Sequence, residues 1–126
     1  MRKVEEVLNE IQNGKTLAIA RDRKGKLFGV ETKYDGNIEK ENYMVDVTKF
    51  SKVFPHISKQ IDDDKIYHLS YNEKKKEYEN TLIDHEKNIL DHFTDSDIYG
   101  SILLLENKYT NMLVRIFNKR KIKKIS

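Results

Sequence analysis

Four histidines are the side chains of this chain best suited to acid–base or metal chemistry: His56, His68, His85 and His92. On a helix, His85 and His92 would lie two turns apart, about 10.5 Å at 1.5 Å per residue. One metal ion cannot bind both at that distance. No His-Glu-x-x-His sequence occurs, and that is the spacing that brings two histidines to one zinc ion. The pattern therefore predicts no histidine metal site and no cofactor.

The segment from Asp95 to Glu106 resembles an EF-hand calcium loop, in which oxygen ligands recur at fixed positions. Asp95, Asp97, Gly100 and Glu106 occupy loop positions 1, 3, 6 and 12. A tyrosine at the fifth position and a leucine at the ninth remove two oxygen donors. We therefore expect an acidic helix end, a glycine turn and a core strand here, with calcium binding left open.

Nucleophile and phosphate motifs are incomplete. The run Asn13-Gly14-Lys15-Thr16 resembles the end of a P-loop, but the required upstream glycine is replaced by Asn9. A P-loop also passes from strand to helix, whereas the predicted order here is helix to strand. The chain has no cysteine and no Gly-x-Ser-x-Gly sequence. We predict that the protein is not an enzyme.

Tyrosines are the next candidates, because a half-exposed ring packs on the protein with one side and on a partner with the other. Tyr67 and Tyr71 lie on the same face of one predicted strand, with Leu69 between them on that face, and Tyr78 lies across a predicted hairpin. We predict that these three residues bind a partner. The alternative is ordinary cross-strand packing.

Charge is unevenly distributed along the chain, whose formal net charge is +3. The last eight residues carry five cations, and without them the body is slightly acidic. Those five predicted partner-binding residues are Lys119, Arg120, Lys121, Lys123 and Lys124. A short cationic tip within the body adds four more: Arg21, Arg23, Lys24 and Lys26. Contact with nucleic acid would need these two groups, because a slightly acidic body does not neutralise phosphates.

Acidic residues concentrate between 84 and 97. Asp84, Asp91 and Asp95 are the members predicted to contact a partner, on one face of a helix that would carry its apolar residues on the other.

Apolar spacing predicts the elements that position these groups. Helical spacing predicts helices at 4 to 12, 50 to 61 and 84 to 95, with a kink or late start at Pro55. Alternation and turn residues predict strands at 16 to 21, 26 to 32, 43 to 47, 65 to 71, 78 to 83, 101 to 105 and 110 to 117. The segment from 101 to 118 also fits a helix, since short apolar runs do not distinguish the two.

These elements predict an α+β fold in which a helix and a hairpin recur three times, beginning near residues 3, 50 and 85. An antiparallel sheet of hairpins would carry about three helices on one face. We expect one domain at 1 to 118 and a basic tail at 119 to 126. No apolar run is long enough to span a membrane or to form a signal peptide, so a cytoplasmic protein is expected.

In its length, its Lys-, Asn- and Ile-rich composition and its charge layout, the chain resembles small counter-defence proteins of phages and mobile elements, including anti-CRISPR inhibitors. The resemblance implies a non-enzymatic protein that blocks a host nucleic-acid-handling protein, such as a CRISPR nuclease, by surface contact. The alternative from the charges is a small nucleic-acid-binding protein that uses the tail and the 21 to 26 tip.

Overall fold

A computed structural model describes the backbone of residues 1 to 12 and 14 to 125, and the side chains of residues 1 to 12 and 14 to 111. It confirms the predicted α+β class, and the described residues form seven strands and four helices. In chain order these are β1 (Arg2–Lys3), α1 (Val4–Leu8), β2 (Lys15–Arg21), β3 (Leu27–Asp35), β4 (Ile38–Asp46), α2 (Thr48–Val53), α3 (Pro55–Gln60), β5 (Lys65–Asn72), β6 (Glu77–Asp84), β7 (Ile89–Asp95) and α4 (Ile98–Ile125). Among the described residues, no helix combines the length and apolar character needed to cross a bilayer.

The strands form one mixed sheet in the order β1-β4-β3-β2-β5-β6-β7. All neighbours are antiparallel except β1, which runs parallel to the end of β4. The hairpins β2–β3 and β5–β6 confirm two predictions. The sheet is nevertheless larger than expected, because β4 extends back to Ile38 along β3 and β7 adds an edge strand.

The predicted acidic helix at 84 to 95 is wrong. Asp84 instead closes a turn, where its Oδ1 accepts the backbone N–H groups of Glu86 at 3.0 Å and Asn88 at 2.9 Å. The chain then returns along β6 as β7, and Ile89 pairs with Ile83. Pairing with β6 decides the conformation of this segment, and periodicity within a short window does not contain that information.

The predicted hairpin at 101 to 117 is also wrong, and the helical alternative is the one that forms. The Oδ2 atom of Asp97 accepts the N–H of Gly100 at 2.7 Å, which caps the first turn of α4. Ile102, Leu105 and Tyr109 are buried on one side of this helix. The last third of the chain therefore runs strand then helix, so the predicted three-fold repeat of helix and hairpin is not formed.

Two other helix predictions are correct in place but not in length. The helix predicted at 50 to 61 is divided at Phe54 into α2 and α3, and Pro55 is the first residue of α3, where its missing N–H costs least. The helix predicted at 4 to 12 ends at Leu8.

The helix α4 continues past residue 118, where the predicted domain boundary lies. The side chains of the predicted tail cations lie outside the described residues: Lys119, Arg120, Lys121, Lys123 and Lys124.

The hydrophobic core lies between one face of the sheet and the four helices. Alternate strand residues are buried on this face, which places them in contact with the apolar sides of the helices. The strand members are Leu17, Ile19, Val45, Tyr67, Leu69, Tyr78 and Leu82, and the helix members include Val4, Val7, Phe50, Ile57, Ile102 and Leu105.

A chain of buried polar groups connects the sheet to α4. The Tyr67 hydroxyl donates to the Asn80 side chain, whose Nδ2 donates to Ser101 Oγ at 2.5 Å. Ser101 Oγ in turn donates to the backbone oxygen of Ile98 at 2.6 Å. Each of these buried groups has a partner, which offsets its loss of water.

A charged network joins the N-terminus to the middle of the sheet. The Arg2 guanidinium lies 2.9 Å from both carboxylate oxygens of Glu31, whose side chain is only 1% exposed. Lys15 Nζ lies 3.3 Å from Glu31 and 2.7 Å from Glu10, and Arg2 also lies 2.8 Å from Glu10. The hydrogen bond from Lys15 is the main reason that the pKa of Glu10 is lowered. Two cations thus compensate the buried carboxylate.

Glu106 of α4 fixes the start of α3. Its Oε1 accepts the backbone N–H of His56 at 2.8 Å, and its Oε2 accepts that of Ile57 at 2.8 Å. His56 Nδ1 also lies 2.8 Å from Glu106 Oε1. Because the first N–H groups of a helix have no partner within it, this carboxylate satisfies two of them from fifty residues away.

We predict that Glu106→Gln lowers the free energy of unfolding by about 1 to 3 kcal/mol. The glutamine amide has a single acceptor oxygen, whereas the N–H groups of His56 and Ile57 each bind a separate carboxylate oxygen of Glu106. Urea denaturation followed by circular dichroism measures the change. Asn107→Ala, at an exposed neighbouring position, is the matched control and should change stability by less than about 0.5 kcal/mol. Equal stabilities of Glu106→Gln and the native chain would show that this contact does not fix α3.

Candidate interaction surfaces

The second face of the sheet carries no described helix. Its residues alternate with buried residues along β2, β3, β5 and β6, and they are half-buried to exposed instead of buried. A monomer that leaves such a face of a large sheet in water exposes apolar area, which marks an interaction surface when it is contiguous. We call this surface the open face.

Two adjacent rows cross the open face. The first is apolar and consists of Phe28, Ala20, Ile66, Ile83 and Ile89, placed side by side by the pairing of β3, β2, β5, β6 and β7. The second is mixed and consists of Met44, Val30, Ala18, His68, Thr81 and His92. Neither row contains a lysine, an arginine or a carboxylate. Because phosphate binding needs cations, these rows do not suit nucleic acid.

The predicted cationic tip lies at the end of the sheet where the apolar row runs. Arg23, Lys24 and Lys26 are exposed there, around a turn in which Asp22 Oδ1 accepts the N–H groups of Lys24 and Lys26 at 2.9 Å. Arg21 faces inward instead. Its guanidinium donates to the backbone oxygens of Ile61, Gly25 at 2.8 Å and Ser58 at 2.9 Å, so it caps the end of α3.

The predicted acidic residues 84 to 97 do not share one face. Asp91 of β7 faces α4, and it accepts hydrogen bonds from Lys108 and, at 2.5 Å, from the Tyr109 hydroxyl of that helix. Asp95 accepts the N–H of Asp97 at 3.3 Å beside the start of α4. Asp84 lies at the opposite end of β7, in the turn described above.

A different acidic cluster forms around Asp84. The turn before β5, Asp62 to Asp64, meets the turn after β6 because Lys65 pairs with Asp84, and Asp64 contacts His85. Together the two turns present five carboxylates with only two lysines: Asp62, Asp63, Asp64, Asp84 and Glu86 with Lys65 and Lys87. We call this group the acidic turns. The cluster was not predicted, since its members are about twenty residues apart in sequence.

The three candidate tyrosines belong mainly to the core. Tyr67 is 0% exposed, so its side chain is inaccessible to a partner in this fold. Tyr71 and Tyr78 pack against each other with ring centroids 4.8 Å apart, and Tyr78 is also buried. Only Tyr71 is partly exposed. Cross-strand packing, the alternative left open above, accounts for this pair.

An exposed apolar patch lies on the helical side of the molecule. Val53 is 54% exposed, Tyr99 42% and Leu103 46%. Val53 and Tyr99 line one apolar groove between α1, α2 and the start of α4, and Leu103 follows Tyr99 by one helical turn. Sequence reasoning missed this patch, because Tyr99 and Leu103 were assigned to a turn and a strand. We call it the helical patch.

The histidines stand apart from one another. His56 contacts Glu106 and Thr110, His85 contacts Asp64, and His92 Nδ1 lies 3.0 Å from Thr81 Oγ1. Within residues 1 to 12 and 14 to 111, no three metal-ligating side chains lie close enough together to hold an ion. The EF-hand pattern does not form a loop, because Ile98 begins α4 and Glu106 is bound to α3.

Comparisons of the chain with protein-family models, with curated proteins and with solved structures find no match. The surfaces themselves therefore have to support any assignment of function.

We expect His68, in the middle of the open face, to make the stability of the protein depend on pH. Burial lowers its pKa below the ordinary value of 6.5. The unfolded chain therefore takes up a proton at a higher pH than the folded chain, and stability is lost as the pH falls below about 6.5.

We predict that His68→Gln reduces the loss of unfolding free energy between pH 7.5 and pH 5.5, measured by urea denaturation. His92→Gln, at an exposed position on the same face, where the histidine contacts the Thr81 hydroxyl instead of a carboxylate, is the control. An unchanged pH dependence in His68→Gln would contradict this role.

Proposed function

We propose that this protein is a non-enzymatic binding protein of a phage or mobile element that inhibits a host nucleic-acid-handling protein, such as a CRISPR nuclease, by covering part of its surface. The observation that carries the binding role is the helical patch. Val53 and Tyr99 lie exposed at an apolar groove between helices, and Leu103 is exposed one turn along α4 from Tyr99, so the patch has the composition of an interface centre.

The geometry of α4 supports the helical patch as the contact surface. A helix holds Tyr99 and Leu103 at a fixed separation of one turn, so little conformational entropy is lost when a partner covers them. An aromatic residue beside aliphatic residues in a shallow groove is also typical of the few side chains that dominate binding energy. The nuclease partner is supported by the composition and charge layout of the chain.

The test is inhibition of DNA cleavage by guide-loaded CRISPR nucleases of several types, measured with increasing amounts of the purified full chain. We predict that the native chain slows at least one nuclease, and that Leu103→Asp requires at least about 30-fold more protein for the same effect, since truncated or charged hot-spot positions cost about 2 kcal/mol or more. Leu104→Asp is the matched control. Leu104 is 43% exposed on the same helix. It lies one turn before Lys108, which contacts Asp91 of β7, so it is on the β7 side of the helix.

Two results would contradict the proposal. One is that no nuclease is bound or inhibited by the native chain. The other is direct, strongly salt-dependent binding of nucleic acid that is lost on removal of residues 119 to 126, because that result supports the nucleic-acid-binding alternative.

A further inference from the structure

We propose that the open face is the interface of a symmetric dimer, in which the sheets of two copies of this chain pack face to face. This inference is independent of the proposed function, which uses the opposite, helical side of the molecule. Three features support it: the apolar row, the placement of charges at the end of the sheet, and the size of the face.

The apolar row supplies the centre of the interface. Ile66 and Ala20 lie on the two middle strands, with Phe28 to one side and Ile83 and Ile89 to the other. Ile89 is 67% exposed, and Phe28, Ile66 and Ile83 are half-buried. Packing this row against its own copy removes apolar surface on both sides at once, which is the main favourable term in association.

The charges select the second copy as the occupant. The cationic tip joins β2 to β3, and the acidic turns lie next to it at the start of β5 and the end of β6, so both groups stand at one end of the sheet on either side of its middle. We place a two-fold axis parallel to the strands, over the boundary between β2 and β5. Rotation about this axis exchanges the β2–β3 side of the sheet with the β5–β6 side, and it leaves both charged groups at the same end of the strands. The tip of each copy then faces the acidic turns of the other, and the two apolar rows face each other.

That arrangement agrees with known rules of sheet packing. Strands of the two copies run in nearly the same direction, which is the aligned class with sheets about 10 Å apart. An isologous contact requires a surface that is complementary to itself, and a cationic group balanced by an acidic group across the axis meets that requirement. A nucleic acid would place phosphates on the acidic turns, and an unrelated protein has no reason to match both groups.

The face is large enough for a stable contact. Six strands about 4.8 Å apart, with five or six residues of each at about 3.3 Å per residue, cover on the order of 500 Å² in projection. Side-chain relief and the two flanking turn contacts add to this value. The total per copy therefore approaches the roughly 800 Å² that each partner contributes to a standard interface.

The first test is the mass of the full chain in solution, measured by light scattering and sedimentation equilibrium across a range of concentrations. We expect a dimer of the 15.0 kDa chain. Ile66→Glu should raise the dissociation constant by about 100-fold or more, because it places two carboxylates near the axis without partners. Circular dichroism and thermal melting establish that the variant is folded. A native chain that remains monomeric at millimolar concentration overturns the proposal.

The second test uses charge exchange, so it does not depend on disturbing the sheet. Lys24→Glu with Lys26→Glu should raise the dissociation constant about tenfold, since the cationic tip would then repel the acidic turns. Adding Asp63→Lys and Glu86→Lys to the same chain restores opposite charges across the axis and should restore the dimer. Lys74→Glu with Lys75→Glu is the matched control, with the same change of net charge at the far end of the sheet.

Other outcomes separate this proposal from the proposed function. A dimer that is insensitive to Ile66→Glu and to the charge exchange, or that dissociates with Leu103→Asp, overturns the open face as the interface. A variant Lys24→Glu with Lys26→Glu that is monomeric but still inhibits a nuclease supports both proposals. Loss of inhibition by Leu103→Asp in a chain that remains dimeric contradicts neither and supports the separate roles of the two surfaces.

Discussion

Alternation of side chains along a β-strand is the constraint on which the rest of this molecule depends. Successive residues point to opposite faces, and the buried residues of β2, β5 and β6 all point to the face that the helices cover. Every strand must then place its intervening residues on the opposite face. The division of the sheet into a face covered by helices and the open face therefore follows from this alternation.

Polar contacts between distant parts of the chain complete this arrangement. Glu106 caps α3, Arg21 satisfies carbonyl oxygens at the end of α3, and Arg2 compensates the charge of Glu31 inside the sheet layer. In each case a charged side chain supplies hydrogen bonds that a short element cannot make within itself. Helices of five or six residues are not stable alone, so these contacts and the core maintain the helical layer.

The hairpins could be predicted because their information is local. Residues such as Gly25, at a φ of 80°, mark the turn between β2 and β3, and alternating residues on either side predict its strands. The two errors, at 84 to 95 and at 101 to 117, have the opposite cause. Both segments contain short apolar runs that fit either period, and the choice depends on contacts with β6 and with the core. The misplaced acidic face and the missed helical patch both follow from these two errors.

The sequence by itself determined the α+β class, the two central hairpins, the helical character of the segment around Pro55 and the separation of charge along the chain, because each depends on residues that are close neighbours. Only the tertiary structure decided which groups lie together. It placed Tyr67 in the core, brought Asp62 to Asp64 beside Asp84, and assembled Val53, Tyr99 and Leu103 into one patch. The physical reason is that strand pairing and helix packing join positions twenty to fifty residues apart, and a pattern read within a short window contains no term for such contacts.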